Sequence, residues 1–256
     1  MIIGFIGAGK MAGAIIKGLQ QTDFEIIISA RNLEESQRVS QELDVAYADS
    51  HQELINRSYL VVLGVKPQVL EMALAGLTFD KPVMSMAAGV TLERLSQLTS
   101  QDIPLIRIMP NLNAQILKST TALCTNDKVS VKFLTIAKTI TNSFGTTFDL
   151  AEKDFNTFTA LAGSSPAYIY LFIEALAKAG VKYGIPKNLS LDIVTQTVLA
   201  SAENLLEGKD SPHDLIDKIS SPGGTTIAGL LDLEKTGFTA SVISSIDATI
   251  EKANNL

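Results

Sequence analysis

Short apolar runs alternate with stretches of helical spacing through the first half of the chain, and the texture changes after residue 150. Residues 2–6 are an apolar run too short for a helix and suited to a buried parallel strand. A helical pattern follows over 11–19. Residues 25–29 predict a second strand, 33–43 a helix and 59–65 a third major strand, with a minor strand near Val45. Helix over 67–75, strands over 82–86, 105–109 and 120–125, helix over 130–141 and strand over 146–150 continue the alternation. Such β/α alternation predicts an α/β fold of Rossmann type, a doubly wound and mainly parallel sheet. Beyond it, β-branched runs are few and helices are expected over 153–162, 166–183, 189–206 and 239–254. Gly184, Pro186, Gly208, Pro212 and Gly223-Gly224 punctuate them. The expected organisation is an NAD(P)-binding Rossmann domain over 1–150 and an all-helical domain over 151–256.

Composition narrows the classes. At 256 residues and 46% hydrophobic, the chain can bury a substantial core and is globular rather than disordered. Net charge is −6 and no basic run occurs, so nucleic acid is not an expected partner. No unbroken apolar run reaches the ~18–20 residues of a membrane span, and the N-terminus lacks a basic leader, so no membrane association is expected. Cys124 is the single cysteine; it cannot form an internal disulfide and fits a reducing compartment, the cytoplasm.

The first candidate chemistry is the opening Gly4-Phe5-Ile6-Gly7-Ala8-Gly9-Lys10-Met11-Ala12-Gly13. Strand, glycine turn and helix are the context a dinucleotide fingerprint requires. Gly7 permits the tight turn, Gly9 lets backbone approach a pyrophosphate, and small Ala12, with Gly13, lets helix pack on strand. The helix N-terminus then offers N–H groups to the phosphates. Gly4 to Lys10 also spells G-x-x-x-x-G-K, but the next residue is Met11 rather than a Ser or Thr able to hold Mg²⁺, which excludes a nucleotide-hydrolase loop. In NAD enzymes a carboxylate about twenty residues on grips the ribose 2′-hydroxyl. Here the second strand ends Ile28-Ser29-Ala30-Arg31-Asn32, with no carboxylate at its tip. Arg31 suits a 2′-phosphate, and Ser29 and Asn32 have groups that could donate to it. Glu34 and Glu35 fall in the next helix, where acidic first-turn residues are expected. NADPH is the favoured cofactor, with NADH a possible substitute.

Val65-Lys66-Pro67, Ala87-Ala88-Gly89 and Met109-Pro110-Asn111 each lie at the C-terminal end of an expected parallel strand, where ligands of open α/β sheets bind. Lys66 reads equally as a solvated loop lysine, and Asn111 equally as a helix cap. In the second half, Ser220-Ser221-Pro222-Gly223-Gly224-Thr225-Thr226 leads into a helical run, giving an N-terminus suited to a carboxylate. A similar junction, Gly163-Ser164-Ser165-Pro166, reads as simple capping. His51 and His213 have no metal-ligand spacing, and neither a nucleophile elbow nor a Cys/His arrangement occurs. The chemistry is therefore left to a cofactor, with the protein binding and orienting the reactants.

Together these residues resemble the pyrroline-5-carboxylate reductases, which make proline from Δ1-pyrroline-5-carboxylate with NAD(P)H. The resemblance spans the chain: the opening Gly-Phe-Ile-Gly-Ala-Gly, Val65-Lys66-Pro67, Ala87-Ala88-Gly89-Val90-Thr91, Gly163 to Tyr168, Gly180 to Gly184, and above all Pro212 to Glu234. It implies that Ser221, Gly224, Thr225 and Thr226 hold the substrate, a small cyclic imino acid, with the Thr226 hydroxyl on the ring nitrogen in the catalytic role. It implies cofactor contacts at Ile6, Gly7, Ala8, Gly9, Lys10, Met11, Val65, Lys66, Pro67, Ala87, Ala88 and Gly89. It also implies a dimer interlocked through the helical domain, which in the family often assembles into decamers. Two departures stand out. The family commonly has Gly-Ser-Gly-Pro-Ala-Tyr at 163–168 and Pro-Asn-Thr-Pro at 110–113, so Leu112 and Asn113 carry no role by resemblance. The alternatives are another NADP-dependent imine or β-hydroxyacid oxidoreductase, whose interdomain-helix lysine Lys178 and Lys182 lie too late to supply, and a non-catalytic NADP sensor, which needs no carboxylate pocket.

Overall fold

Period-two burial explains the strands of the first half. Along β1 (Ile2–Ile6) the side chains of Ile3 and Phe5 join one buried cluster and Ile6 the other. In β4 (Leu60–Leu63) the same alternation sends Leu60 and Val62 one way and Val61 and Leu63 the other. A sheet buried on both faces follows, and its strands read as continuous apolar runs. The computed structural model describes residues 1–255. It continues with α1 (Lys10–Leu19), β2 (Glu25–Ser29), α2 (Leu33–Leu43), β3 (Ala46–Tyr47), α3 (His51–Arg57), α4 (Pro67–Leu74), β5 (Val83–Ser85), α5 (Leu92–Leu98), β6 (Leu105–Met109), β7 (Ser119–Thr125), α6 (Val131–Asn142) and β8 (Gly145–Asp149). The eight strands form one sheet ordered β3-β2-β1-β4-β5-β6-β7-β8.

Six of the seven pairings are parallel; β6 and β7 run antiparallel, with Arg107 opposite Cys124. The reason is the connection. Between these strands lies only a 3-10 turn, Leu112–Ile116, and Leu117 at φ +58° reverses the chain. A parallel return needs a crossover of roughly a dozen residues or more. The helices α3 and α5 lie outside the expected set. Each is 7 residues long, too short for a periodic signal, and each is started by a hydroxyl cap, Ser50 or Thr91.

The helix expected over 153–162 is divided. A 3-10 turn (Glu152–Asp154), α7 (Phe155–Phe158) and a π-helical turn (Thr159–Ser164) run directly into α8 (Ser165–Lys182). Asn111 Nδ2 donates to the Ala162 carbonyl at 2.9 Å, a side-chain partner inside the π turn. The joined stretch Glu152–Lys182 is long and apolar enough by length and composition to cross a membrane, correcting the expectation that none would be. Counting unbroken apolar residues missed it because Gly163, Ser164, Ser165 and Pro166 interrupt the run without ending the helix.

The chain divides into two compact units, Met1–Gly163 with the residues from Ala253 onward, and Ser164–Lys252. The second unit holds α8, α9 (Lys187–Glu207), α10 (Pro212–Ile219), α11 (Thr225–Lys235) and most of α12 (Phe238–Asn254). Helices α8 and α9 pack on each other, but α10, α11 and α12 contain no buried residue. Leu171, Leu206 and Ile219 are exposed at 70%, 85% and 65%. Exposed apolar surface on this scale marks an interaction site.

Candidate functional site

In the first unit the expected cofactor residues gather at the C-terminal ends of four adjacent strands, β2, β1, β4 and β5. The strand order changes direction between β1 and β4, which opens a crevice there. Gly7 has φ +84° and donates its N–H to the Ser29 carbonyl at 2.8 Å. Beside it Gly64, just past β4, donates to the Ile6 carbonyl at 2.8 Å. A methyl group on Gly64 would lie 2.4 Å from the Gly7 carbonyl oxygen and 3.0 Å from the Ala12 Cβ. Gly64 is therefore the missing partner of the fingerprint, which no motif signals. Ala12 is buried, and it makes the close approach that the sequence reading shared with Gly13; a methyl on Gly13 would meet only Leu43 at 3.7 Å.

Gly9 caps α1 with no side-chain hydrogen bond, whereas Asn32, Ser50, Thr91 and Ser130 each cap their helices with one. A methyl on Gly9 or on Gly89 would meet nothing within 4 Å, so the backbone at both is open to a ligand. A dinucleotide fits these residues. Lys10, Lys66, Ala88 and Gly9 are exposed, and Ala8, Met11, Val65 and Pro67 are half-buried. Ile6 and Ala87 are buried in the core, so their side chains are closed to a ligand. A pocket of about 530 Å³ borders the turn, lined by Ala8, Gly9, Lys10, Lys17 and Glu42 among others.

The tip of β2 differs from expectation at Ser29. Ser29 is buried and its hydroxyl pairs with His51 Nδ1 at 2.7 Å, which removes it from the 2′-phosphate. Asn32 caps α2 by accepting the Glu35 N–H with its side-chain oxygen at 2.8 Å, which leaves its amide nitrogen able to donate. Arg31 is exposed, as a phosphate ligand requires, and is held by Glu35 at 2.5 Å. Arg38, one turn further along α2, joins Arg31, Asn32, Glu34 and Glu35 around a pocket of about 170 Å³. The spacing Arg31, Glu35, Arg38 was the available signal, since i,i+4 and i,i+3 residues share a helix face.

Asn111 resolves toward structure. It is buried, caps the 3-10 turn through the Asn113 N–H and holds Ala162. Burial pushes the Cys124 thiol up to about 12, with the Glu152 charge adding to it, so it is no thiolate nucleophile at neutral pH. Nearby Arg107, 7% exposed at its side chain, pairs with Glu152 at 2.8 Å and stacks over Phe155 at 4.5 Å. Glu152 also accepts the Leu92 N–H at 2.7 Å. No group of three or more potential metal ligands occurs among the described residues.

In the second unit, Ser221-Pro222-Gly223-Gly224 closes a turn with Gly224 N–H donating to the Ser221 carbonyl at 2.9 Å. Pro222 at the second position and Gly223 at φ +70° at the third satisfy a type II turn. Gly224 then caps α11 without a side chain, so the first-turn N–H groups of Thr225 and Thr226 face outward beside two exposed hydroxyls. Ser220 Oγ, just before the turn, is buried with no hydrogen-bond partner. The Gly163 junction, by contrast, continues a π turn and has no side-chain cap.

Comparison with known proteins agrees with both units. Residues 152–256 match the family model described as pyrroline-5-carboxylate reductase dimerisation, and residues 2–89 match that described as coenzyme F420-dependent NADP oxidoreductase. The chain is 34% identical to a pyrroline-5-carboxylate reductase of Aquifex aeolicus, covering 100% of this chain and 97% of that one. It is 37% identical to the Synechocystis enzyme of the same name, over 99% and 97%. A crystal structure of 1-pyrroline-5-carboxylate reductase from Streptococcus pyogenes superposes with a TM-score of 0.93 at 62% identity, over 100% and 99% of the two chains. A Plasmodium falciparum pyrroline carboxylate reductase with NADP bound gives 0.85 at 29% identity, over 99% and 97%.

Proposed function

The chain belongs to the pyrroline-5-carboxylate reductase family, and from that premise we propose that it reduces the C=N bond of L-Δ1-pyrroline-5-carboxylate to give L-proline, the last step of proline biosynthesis. NADPH, when bound, supplies the hydride. The observation that carries the reading is the pairing of two uncapped helix N-termini, each preceded by a glycine turn: α1 after Gly7 and Gly9, α11 after Gly223 and Gly224. One suits a pyrophosphate, the other a carboxylate.

In this reading residues 1–150 bind the cofactor through the backbone of 6–11, 65–67 and 87–89, with Arg31 on the 2′-phosphate. Residues 151–256 bind the imino acid and join two chains, and dimers gather further into a decamer. Thr225 and Thr226 offer backbone N–H groups to the substrate carboxylate, and Ser221 and Gly224 shape the turn. The Thr226 hydroxyl orients the ring nitrogen. No strong acid is needed, because the imine can arrive protonated from solvent; positioning supplies the rate. The cytoplasm is the expected setting.

Thr226→Val keeps the β-branched shape and removes the hydroxyl alone. It is expected to lower kcat/KM for pyrroline-5-carboxylate by about 1–3 kcal/mol, one hydrogen bond's worth, and to leave NADPH affinity nearly unchanged. Wild-type kinetics in this variant would remove Thr226 from the site, and no NADPH oxidation with any cyclic imine would sink the reading itself.

A further inference from the structure

Glu35, in the first turn of α2, is the acidic side chain that holds Arg31 just past the end of β2. Its Oε2 lies 2.5 Å from Arg31 Nε, whereas its Oε1 is 3.7 Å from Arg38 Nη2, and Arg38 is held more closely by Glu42. Oε2 is itself shielded from solvent, yet makes no aligned hydrogen bond there. The contact is thus one of charge without directional bonding, and such a contact can be exchanged. Arg31 and Arg38 remain solvent-exposed at 81% and 58% of their side chains, with Glu35 at 28% between them. All three border the 170 Å³ pocket, which Asn32 and Glu34 complete.

We propose that Glu35 sets the balance between the two nicotinamide cofactors by competing with the 2′-phosphate for Arg31. The proposal rests on the cofactor reading of this same site. With NADPH the phosphate must displace the Glu35 carboxylate from Arg31, so Glu35 lowers affinity for the phosphorylated cofactor. With NADH no phosphate arrives. Glu35 stays on Arg31 and, from the first turn of α2, presents an acceptor to the ribose 2′-hydroxyl, the role that an acidic residue at the end of the second strand plays in NAD enzymes. Arg31 favours one cofactor and the carboxylate that holds it favours the other.

The test uses the full-length protein and the fragments 2′,5′-ADP and 5′-AMP, which carry the adenosine end with and without the 2′-phosphate. In the wild type 2′,5′-ADP should bind the tighter, and Arg31→Ala should abolish that preference. Glu35→Gln should strengthen 2′,5′-ADP binding by about two- to fivefold, the range of an exposed ion pair, and weaken 5′-AMP. The ratio of kcat/KM for NADPH to that for NADH should rise accordingly. Both cofactors are measured on one preparation, so partial unfolding of the variant cancels in the ratio. If 2′,5′-ADP is preferred and depends on Arg31 but Glu35→Gln leaves the ratio unmoved, the role of Glu35 is overturned while the site stands. If wild type binds the two fragments equally, the phosphate site itself is wrong, and the proposal falls with it.

Discussion

Gly64→Ala adds one methyl group at the tightest point of the cofactor turn. The new carbon would sit 2.4 Å from the Gly7 carbonyl oxygen and 3.0 Å from the Ala12 Cβ, against an ordinary contact of about 3.5 Å. Neither neighbour can rotate away, since one is backbone and the other a side chain of a single carbon. Gly7 is also confined on its far side, where a methyl group would come 2.6 Å from Val65 Cγ1. The turn must therefore move by about 1 Å, breaking the register of the Gly7 and Gly64 N–H bonds. Overpacking of this kind costs about 1–3 kcal/mol, and in a unit of this size each kcal/mol lowers Tm by roughly 2–4 °C. A displacement of about 1 Å at a binding turn can cost on the order of 10²-fold in rate. The assay is steady-state NADPH oxidation beside thermal unfolding. KM for NADPH should rise by about tenfold or more, with a smaller change for the imine. Gly13→Ala is the internal control, because its methyl would meet only Leu43 at 3.7 Å and alanine favours helix by about 1 kcal/mol. Wild-type KM and Tm for Gly64→Ala, or equal damage from Gly13→Ala, would refute the steric account.

Two further outcomes follow from buried polar groups. Glu152→Gln strands a guanidinium that is 7% exposed, so it should cost about 3 kcal/mol in denaturant unfolding; Arg107→Met should cost less, because Glu152 is 31% exposed and keeps the Leu92 N–H. The reverse order would show that Arg107 acts by packing on Phe155 alone. Burial holds His51 below its ordinary value of 6.5, so the unfolded chain takes up a proton more readily than the fold. Stability should be unaffected above that value, and should fall as pH drops below it until the lowered folded pKa is passed. His51→Gln should flatten this slope, and an unchanged slope between pH 5 and 7 would assign it to other groups.

Local signals were sufficient for much of this protein. A five-residue apolar strand, two glycines and a helical stripe lie within nineteen residues, so the fingerprint needed no distant partner to be read. The same holds for Pro222-Gly223-Gly224 before α11, where proline and a left-handed glycine dictate the turn. Periodicity likewise located β2, α2 and β6 within their observed bounds, because each buries one face or both.

What the tertiary structure decided were the pairings between residues far apart in the chain. Gly64 matters only because β4 lies beside β1, and parallel neighbours need not be sequence neighbours. Ser29 left the expected phosphate shell because α3 brought His51 to it. The π turn at 159–164 carries a bond from Asn111, fifty-one residues away, which no helical period encodes. Glu35 read as an ordinary first-turn acid until its carboxylate was seen between two arginines. The direction of β7 followed from the length of a loop, and the bare faces of α10 to α12 accord with the dimerisation family that residues 152–256 match. Sequence specifies such contacts through packing and charge summed over the whole fold, and that sum has no local signature.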